Sequence, residues 1–332
     1  MLEMPEVLKR YAGRIEERLR AEIAPDELPY LGEGAWYQLS TGGKRLRPML
    51  CLATCEALGG DPEEALPFAL ATEIFHNVLL IHDDIEDGDT MRRDQKTLWA
   101  KLGVPNAINI SDLLIAKVFE LITRSPLPPA ITLELASAFC TTYKRTVEGQ
   151  ALDINLRGDE SITLETYFRI VQLKTAYYLA LPWVGGALIA GRPVSDLDSL
   201  WEIGKCLGPA FQIRDDLLDL TEGKGRGGEI GCDLREGKPS ILFAFVFDER
   251  AGTESERSQL AAIAAKGREE TTLDDIRWAM NLYETTGAIA HAEDEAQRLI
   301  EKADEVLERS PFPEEGKAVF RSISQYIIAR ST

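Results

Sequence analysis

The chain has 332 residues, of which 45% are hydrophobic, and a formal net charge of −18. That is enough apolar material for a self-sufficient core. The acidic balance argues against a nucleic-acid or anionic-membrane partner, because phosphate backbones and headgroups reward clustered Lys and Arg. Five cysteines, Cys51, Cys55, Cys140, Cys206 and Cys232, are odd in number and form no CxxC pair. We therefore expect buried free thiols rather than a disulfide framework or a zinc site. No start combines basic residues, an apolar run and a small-residue cleavage site, and no run of about 18 uncharged apolar residues occurs. The expectation is a cytoplasmic protein with no stable membrane insertion.

Along the chain, apolar residues recur at helical spacing, as in Leu66, Leu70, Ile74 and Val78, and again in Ile131, Leu135, Phe139 and Tyr143. Alternating strand patterns and Asn-Gly or Asp-Gly hairpins are nearly absent. Breaks at Pro25–Gly34, Gly59–Pro62, Ser125–Pro129, Gly191–Pro193, Gly223–Gly231, Ala251–Thr253 and Pro311–Pro313 leave about ten helices. No break resembles a domain linker and no repeat of 20 to 50 residues occurs, so an all-α fold with one large helical domain over residues 1–332 is expected. The glycine-rich, charged stretch Glu222–Glu229 is a candidate lid.

The first basic group is GGKRLRP at 42–48, where Gly42 and Gly43 allow backbone approach and Lys44 and Arg47 can project together from a helix starting near Pro48. HDDIEDGD at 82–89 follows the apolar run Val78-Leu79-Leu80-Ile81, which puts an acidic cluster at the C-terminal end of a buried helix. Asp83 and Asp87 share a face one turn apart, with Asp84 about 100° away. Like charges at that spacing repel and a helix C-terminus disfavours anions, so a cationic partner is required. Arg92 and Arg93 follow, with the fork geometry that suits phosphate. His82 reads as a core histidine, and His76, two turns before Asp83, as a candidate phosphate donor.

FQIRDDLLDL at 211–220 repeats the design: Asp215 and Asp219 are one turn apart, Asp216 is adjacent, and the neighbours are apolar. One DDxxD could arise by chance among 55 acidic residues. Two embedded in apolar helices are not explained that way, because ionised carboxylates are not buried unpaired. Oxygen donors without His or Cys suit Mg²⁺, which is held by one or two carboxylates plus substrate phosphates and waters. Lys174-Thr175 and Gly237-Lys238 complete the basic set.

In this order and spacing, GGKRLRP, HDDIED with its following Arg-Arg, Gly149-Gln150-x-x-Asp153, Leu173-Lys174-Thr175, FQIRDDLLD and GCDLREGK closely resemble the trans-isoprenyl diphosphate synthases, or polyprenyl synthetases, from about Leu39 onward. The resemblance implies a central cavity, a homodimer, and three Mg²⁺ bridging the acid clusters and an allylic diphosphate. It implies Asp83, Asp87 and Asp215 as metal ligands, with Asp84, Asp216 and Asp219 supporting them. Arg92, Lys174, Thr175, Gln212 and Lys238 would hold the allylic diphosphate (dimethylallyl, geranyl or farnesyl). Gly43, Lys44, Arg47, His76 and Arg93, with Arg330, would hold isopentenyl diphosphate.

Four positions depart from the family pattern: Asp94 replaces a Gly, Trp99 a His, Glu229 a Lys and Ser240 a Thr. Lys224 is the candidate to replace the lysine missing at Glu229. In the family the growing chain runs down the helix bearing the first acid pair. The floor therefore falls on Phe75, Val78 and Leu79, and Phe75, about 12 Å above Asp83 at 1.5 Å per residue, predicts a twenty-carbon product, geranylgeranyl diphosphate. Alternatives are a longer-chain synthase, or a non-catalytic subunit of a heteromeric one. A terpene cyclase fits less well, since GGKRLRP and the second DDLLD have no use there.

Overall fold

The computed structural model describes residues 5–23, 30–221 and 229–329, with 327–329 as backbone alone. Lys224, Arg330 and most of the candidate lid lie outside the described residues. Among them the chain is almost entirely helical. The first half comprises α1 (Glu6–Lys9), α2 (Ala12–Glu22), α3 (Leu31–Ser40), α4 (Leu46–Ala57), α5 (Pro62–Glu86), α6 (Leu98–Leu102), α7 (Val104–Thr123) and α8 (Pro129–Asn155). Then come α9 (Leu164–Val171), a π-helical turn Gln172–Ala176, α10 (Tyr177–Ile189), a 3₁₀ turn Val194–Asp196 and α11 (Leu197–Asp219). The remainder is α12 (Cys232–Arg235), α13 (Ile241–Asp248), α14 (Glu254–Ala264), α15 (Leu273–Thr285), α16 (Ala288–Arg309) and α17 (Glu314–Ala329).

This is finer division than ten helices. Gly103, at φ 81°, separates α6 from α7, and a break at Arg10–Tyr11 separates α1 from α2. One small antiparallel ribbon exists, β1 (Met91–Arg92) paired with β2 (Gln95–Lys96). Its turn is Arg93-Asp94, both at positive φ (53° and 62°), so an Asn-Gly search misses it.

Two hydrophobic clusters flank α11. One gathers α1 to α8, α10, α17, the N-terminal half of α11 and the C-terminal end of α16; the other gathers α9, α12 to α15 and the remainder of α11 and α16; Ile300 touches both. Helix α5 runs through the first. Its N-terminus is fixed by the Asp61 side chain accepting from Glu63 N at 2.9 Å, with Pro62 at the first helical position. By length and composition α5 could cross a membrane, but 78% of its apolar window is buried inside the protein. Its one mid-helix acid, Glu73, is buried against Arg45 at 2.9 Å. Four of the five thiols are buried as expected, and Cys140 is exposed.

Candidate active site

The C-terminal end of α5 faces the C-terminal half of α11 across a polar chamber of about 210 Å³. Asp83 and Asp87 line one wall, and Asp215 and Asp216 the other, with Lys174, Thr175, Gln212, Arg92 and Lys238 between them. The chamber shares Asp83, Asp215, Arg92 and Lys174 with a larger cavity of about 820 Å³. Gly43, Lys44, Arg47, His76 and Arg93 line that cavity, and so do Leu79, Tyr143, Val147, Ile154 and Phe211. Sequence motifs up to 195 positions apart, from Gly43 to Lys238, thus meet around one space.

Local backbone chemistry explains the convergence. Gly42 and Gly43 hold φ of 99° and 131°, and a Cβ on Gly43 would come within 2.9 Å of the Arg93 guanidinium, which donates to the Gly42 carbonyl. Only glycine lets the two basic motifs touch. Lys174 and Thr175 lie on the π turn, a wider helical turn common at functional sites. Gly149 of α8 packs on it so closely that a Cβ would lie 2.4 Å from the Lys174 backbone nitrogen.

Charge is matched pair by pair. Asp87 accepts from Arg157 at 2.6 Å and Lys238 at 2.8 Å, and Lys174 donates to Asp153 at 2.8 Å. Burial, with Asp233 adding to it, pushes Asp216 up to about 8, even though Gln212, Tyr167 and the Ile241 N–H all donate to it. Burial and the nearby Asp233 thus favour the neutral form of Asp216, and an added cation beside it would favour the ionised form. Among the described residues no three acids form a ready-made metal cage. Carboxylates on opposite walls instead suit Mg²⁺ completed by substrate phosphates.

Two residues expected among the catalytic carboxylates are placed elsewhere. Asp84 does not line the chamber: it is buried against Arg92, 2.6 Å away, and burial raises it to about 6. Asp219 accepts from the Cys232 and Asp233 backbone N–H groups at 3.1 and 3.0 Å, which fixes the turn carrying Asp233. Both build the frame rather than the chamber's surface. Lys44 and Arg47 converge as expected, although the helix begins at Leu46; Arg47 stacks 3.9 Å from the Tyr178 ring centre. Arg45, between them, is structural, paired with Glu73 and Glu16.

His82, expected in the core, is instead half-buried on the wall of the larger cavity, with its ring nitrogen 2.7 Å from the Ser111 hydroxyl. His76 is half-buried on the cavity wall, bonded to the Tyr178 hydroxyl, and held far below its usual range by desolvation and by Arg47, Arg93 and Arg92. It is a neutral hydrogen-bonding group. The floor also shifts. Leu79 lines the cavity, but Val78 and Phe75 are fully buried and do not. Tyr143 of α8 stands in front of Phe75, with ring centres 5.3 Å apart and Phe139 behind at 4.9 Å from Phe75.

Sequence reading missed Tyr143, Tyr178, Arg157 and Asp233. Tyr178 is four residues after Lys174, and Tyr143 is seven before Gln150, so helical spacing from the motifs would have found both. Arg157 carries no such signal.

Comparison with known proteins agrees with this geometry. The polyprenyl synthetase family model matches residues 29–283. A short chain isoprenyl diphosphate synthase from Methanothermobacter thermautotrophicus is 32% identical over 99% of both chains. A geranylgeranyl pyrophosphate synthase from Geoglobus acetivorans is 34% identical over 98% of both. The crystal structure of a geranylgeranyl pyrophosphate synthase from Corynebacterium glutamicum, complexed with isoprenyl diphosphate and magnesium, has a TM-score of 0.86 at 26% identity, covering 99% of this chain and 100% of its own. The chain belongs to the polyprenyl synthetase family and is an all-α prenyltransferase of the isoprenyl diphosphate synthase class.

Proposed function

We propose that this chain joins isopentenyl diphosphate head-to-tail to an allylic diphosphate in a Mg²⁺-dependent reaction, with geranylgeranyl diphosphate as principal product. The observation that carries the reading is the opposition of Asp83 and Asp87 to Asp215 and Asp216 in a chamber that shares its wall with a larger cavity, lined by basic side chains on one part and by Leu79, Ile154 and Phe211 on another. The names of the Geoglobus and Corynebacterium relatives support the product length, and the magnesium in the latter supports the metal.

In this reading Asp83, Asp87 and Asp215 would hold the Mg²⁺ ions, which would supply positive charge for the departing diphosphate. Lys174, Thr175, Gln212, Arg92 and Lys238 orient the allylic diphosphate. Lys44, Arg47, Arg93 and neutral His76 hold isopentenyl diphosphate beside it. The allylic C–O bond breaks with its electron pair going to the diphosphate. The isopentenyl double bond then attacks the carbocation to form the new C–C bond, and a proton is lost, with the released diphosphate as acceptor. Leu79, Phe211 and Ile154 exclude water from the cation. A second copy of the chain is proposed to cover the apolar side chains exposed on α7 and α8, among them Ile108, Leu113, Phe119 and Leu133.

The test is metal removal combined with substitution. Chelation should abolish product formation and added Mg²⁺ restore it. Asp83→Asn and Asp215→Asn should each lower kcat on the order of a hundredfold or more. Full activity in both variants would contradict the reading.

A further inference from the structure

Arg268 lies in the turn between α14 and α15, outside every motif named above. Its guanidinium donates to Asp89 at 2.7 Å and reaches Glu229 at 3.4 Å and Glu236 at 3.5 Å. Asp89 and Glu236 are almost wholly buried. Each also faces a cation of the polar chamber: Asp89 lies 3.8 Å from Arg92, and Glu236 lies 2.6 Å from Lys238. Those two cations in turn reach Asp84 and Asp87 on the first acidic motif. Arg268 therefore stands behind two carboxylates whose other sides hold Arg92 and Lys238.

A buried carboxylate competes with a phosphate for any cation between them, and in low dielectric that competition is strong. A second cation on its far side weakens its hold. We infer that Arg268 is a positioning residue that neutralises Asp89 and Glu236 from behind and so makes Arg92 and Lys238 available to the allylic diphosphate. The inference rests on the proposed reading, in which those two residues hold that diphosphate. It also accounts for Glu229, which stands where the family resemblance leads one to expect a lysine. Arg268, from another element, brings a positive charge to within 3.4 Å of that carboxylate.

The experiment is steady-state kinetics of Arg268→Gln, Arg268→Lys, Asp89→Asn and the double variant Arg268→Gln/Asp89→Asn, with each substrate varied in turn and folding checked by circular dichroism. Arg268→Gln is expected to raise the KM for the allylic diphosphate about tenfold, the scale of a lost charge-assisted bond, and to leave that for isopentenyl diphosphate within about twofold. Arg268→Lys, which keeps the charge without the fork, should fall between. The double variant, lacking the carboxylate that would recapture Arg92, should recover part of the loss.

Equal rises in both KM values, an unchanged allylic KM, or strictly additive effects in the double variant would overturn the inference. If Arg268→Gln does not fold, the lysine and double variants carry the same comparison. If the unmodified protein makes no prenyl product, the proposed reaction fails. Calorimetry with Mg²⁺ and inorganic diphosphate then still tests Arg268, and an unchanged Kd in Arg268→Gln would overturn its role.

Discussion

At the scale of the residue, the departures from the family pattern have physical readings. Asp94 holds φ of 62° in the tight turn between β1 and β2, a conformation in which glycine carries no steric cost. Asp94→Gly should raise stability by about 0.5 kcal/mol, the relief of left-handed strain less the chain entropy glycine adds; a lower urea midpoint would contradict this. Trp99 keeps a ring N–H donor, bonding the Asp89 carbonyl at 2.8 Å, and Ser240 still caps α13 through its hydroxyl.

His76 gives a pH prediction. Its folded value lies well below the unfolded 6.5, so the unfolded chain binds more protons below 6.5 and stability falls as pH drops through that value. The His76 ring resonance should stay that of neutral imidazole from pH 8 to about 5.5, and a titration centred near 6.5 would refute the burial argument. Tyr143, which fronts Phe75, is the residue expected to end the product chain. Tyr143→Ala should lengthen the product by at least one five-carbon unit, and an unchanged distribution would move the floor elsewhere.

At the scale of the element, the helices were legible because burial imposes a 3.6-residue period, which α8 shows from Leu135 to Asp153, while α5 is buried on nearly all sides and reads as a long apolar helix. The ribbon at 91–96 was not legible, because its turn uses Arg93-Asp94 in place of glycine. The π turn at 172–176 was equally hidden, since one extra residue in a turn leaves no compositional mark. It decides where Lys174 and Thr175 point, and it fits only because Gly149 lacks a side chain. Gly149→Ala, clashing with backbone rather than a movable side chain, should cost about 3 kcal/mol and lower kcat with it. Denaturant melts and product assays on the one variant would check both effects together.

At the scale of the whole molecule, a chain of net charge −18 sets six cations, Lys44, Arg45, Arg47, Arg92, Arg93 and Lys174, around one cavity. The acid pairs and their order revealed the site, because two carboxylate pairs on apolar helices have few structural uses. What pairs with each carboxylate was not legible: Arg157 on Asp87 and Arg268 on Asp89 arrive from segments with no motif of their own. The exposed apolar side chains on α7 and α8 predict a dimer by light scattering, and an Ile108→Glu/Phe119→Glu variant should shift it toward monomer. The most direct test of the account is incubation of the purified protein with Mg²⁺, labelled isopentenyl diphosphate and each allylic primer in turn, with product length read by chromatography. The account predicts a twenty-carbon prenyl diphosphate; folded protein that yields no prenyl product with any primer would contradict it.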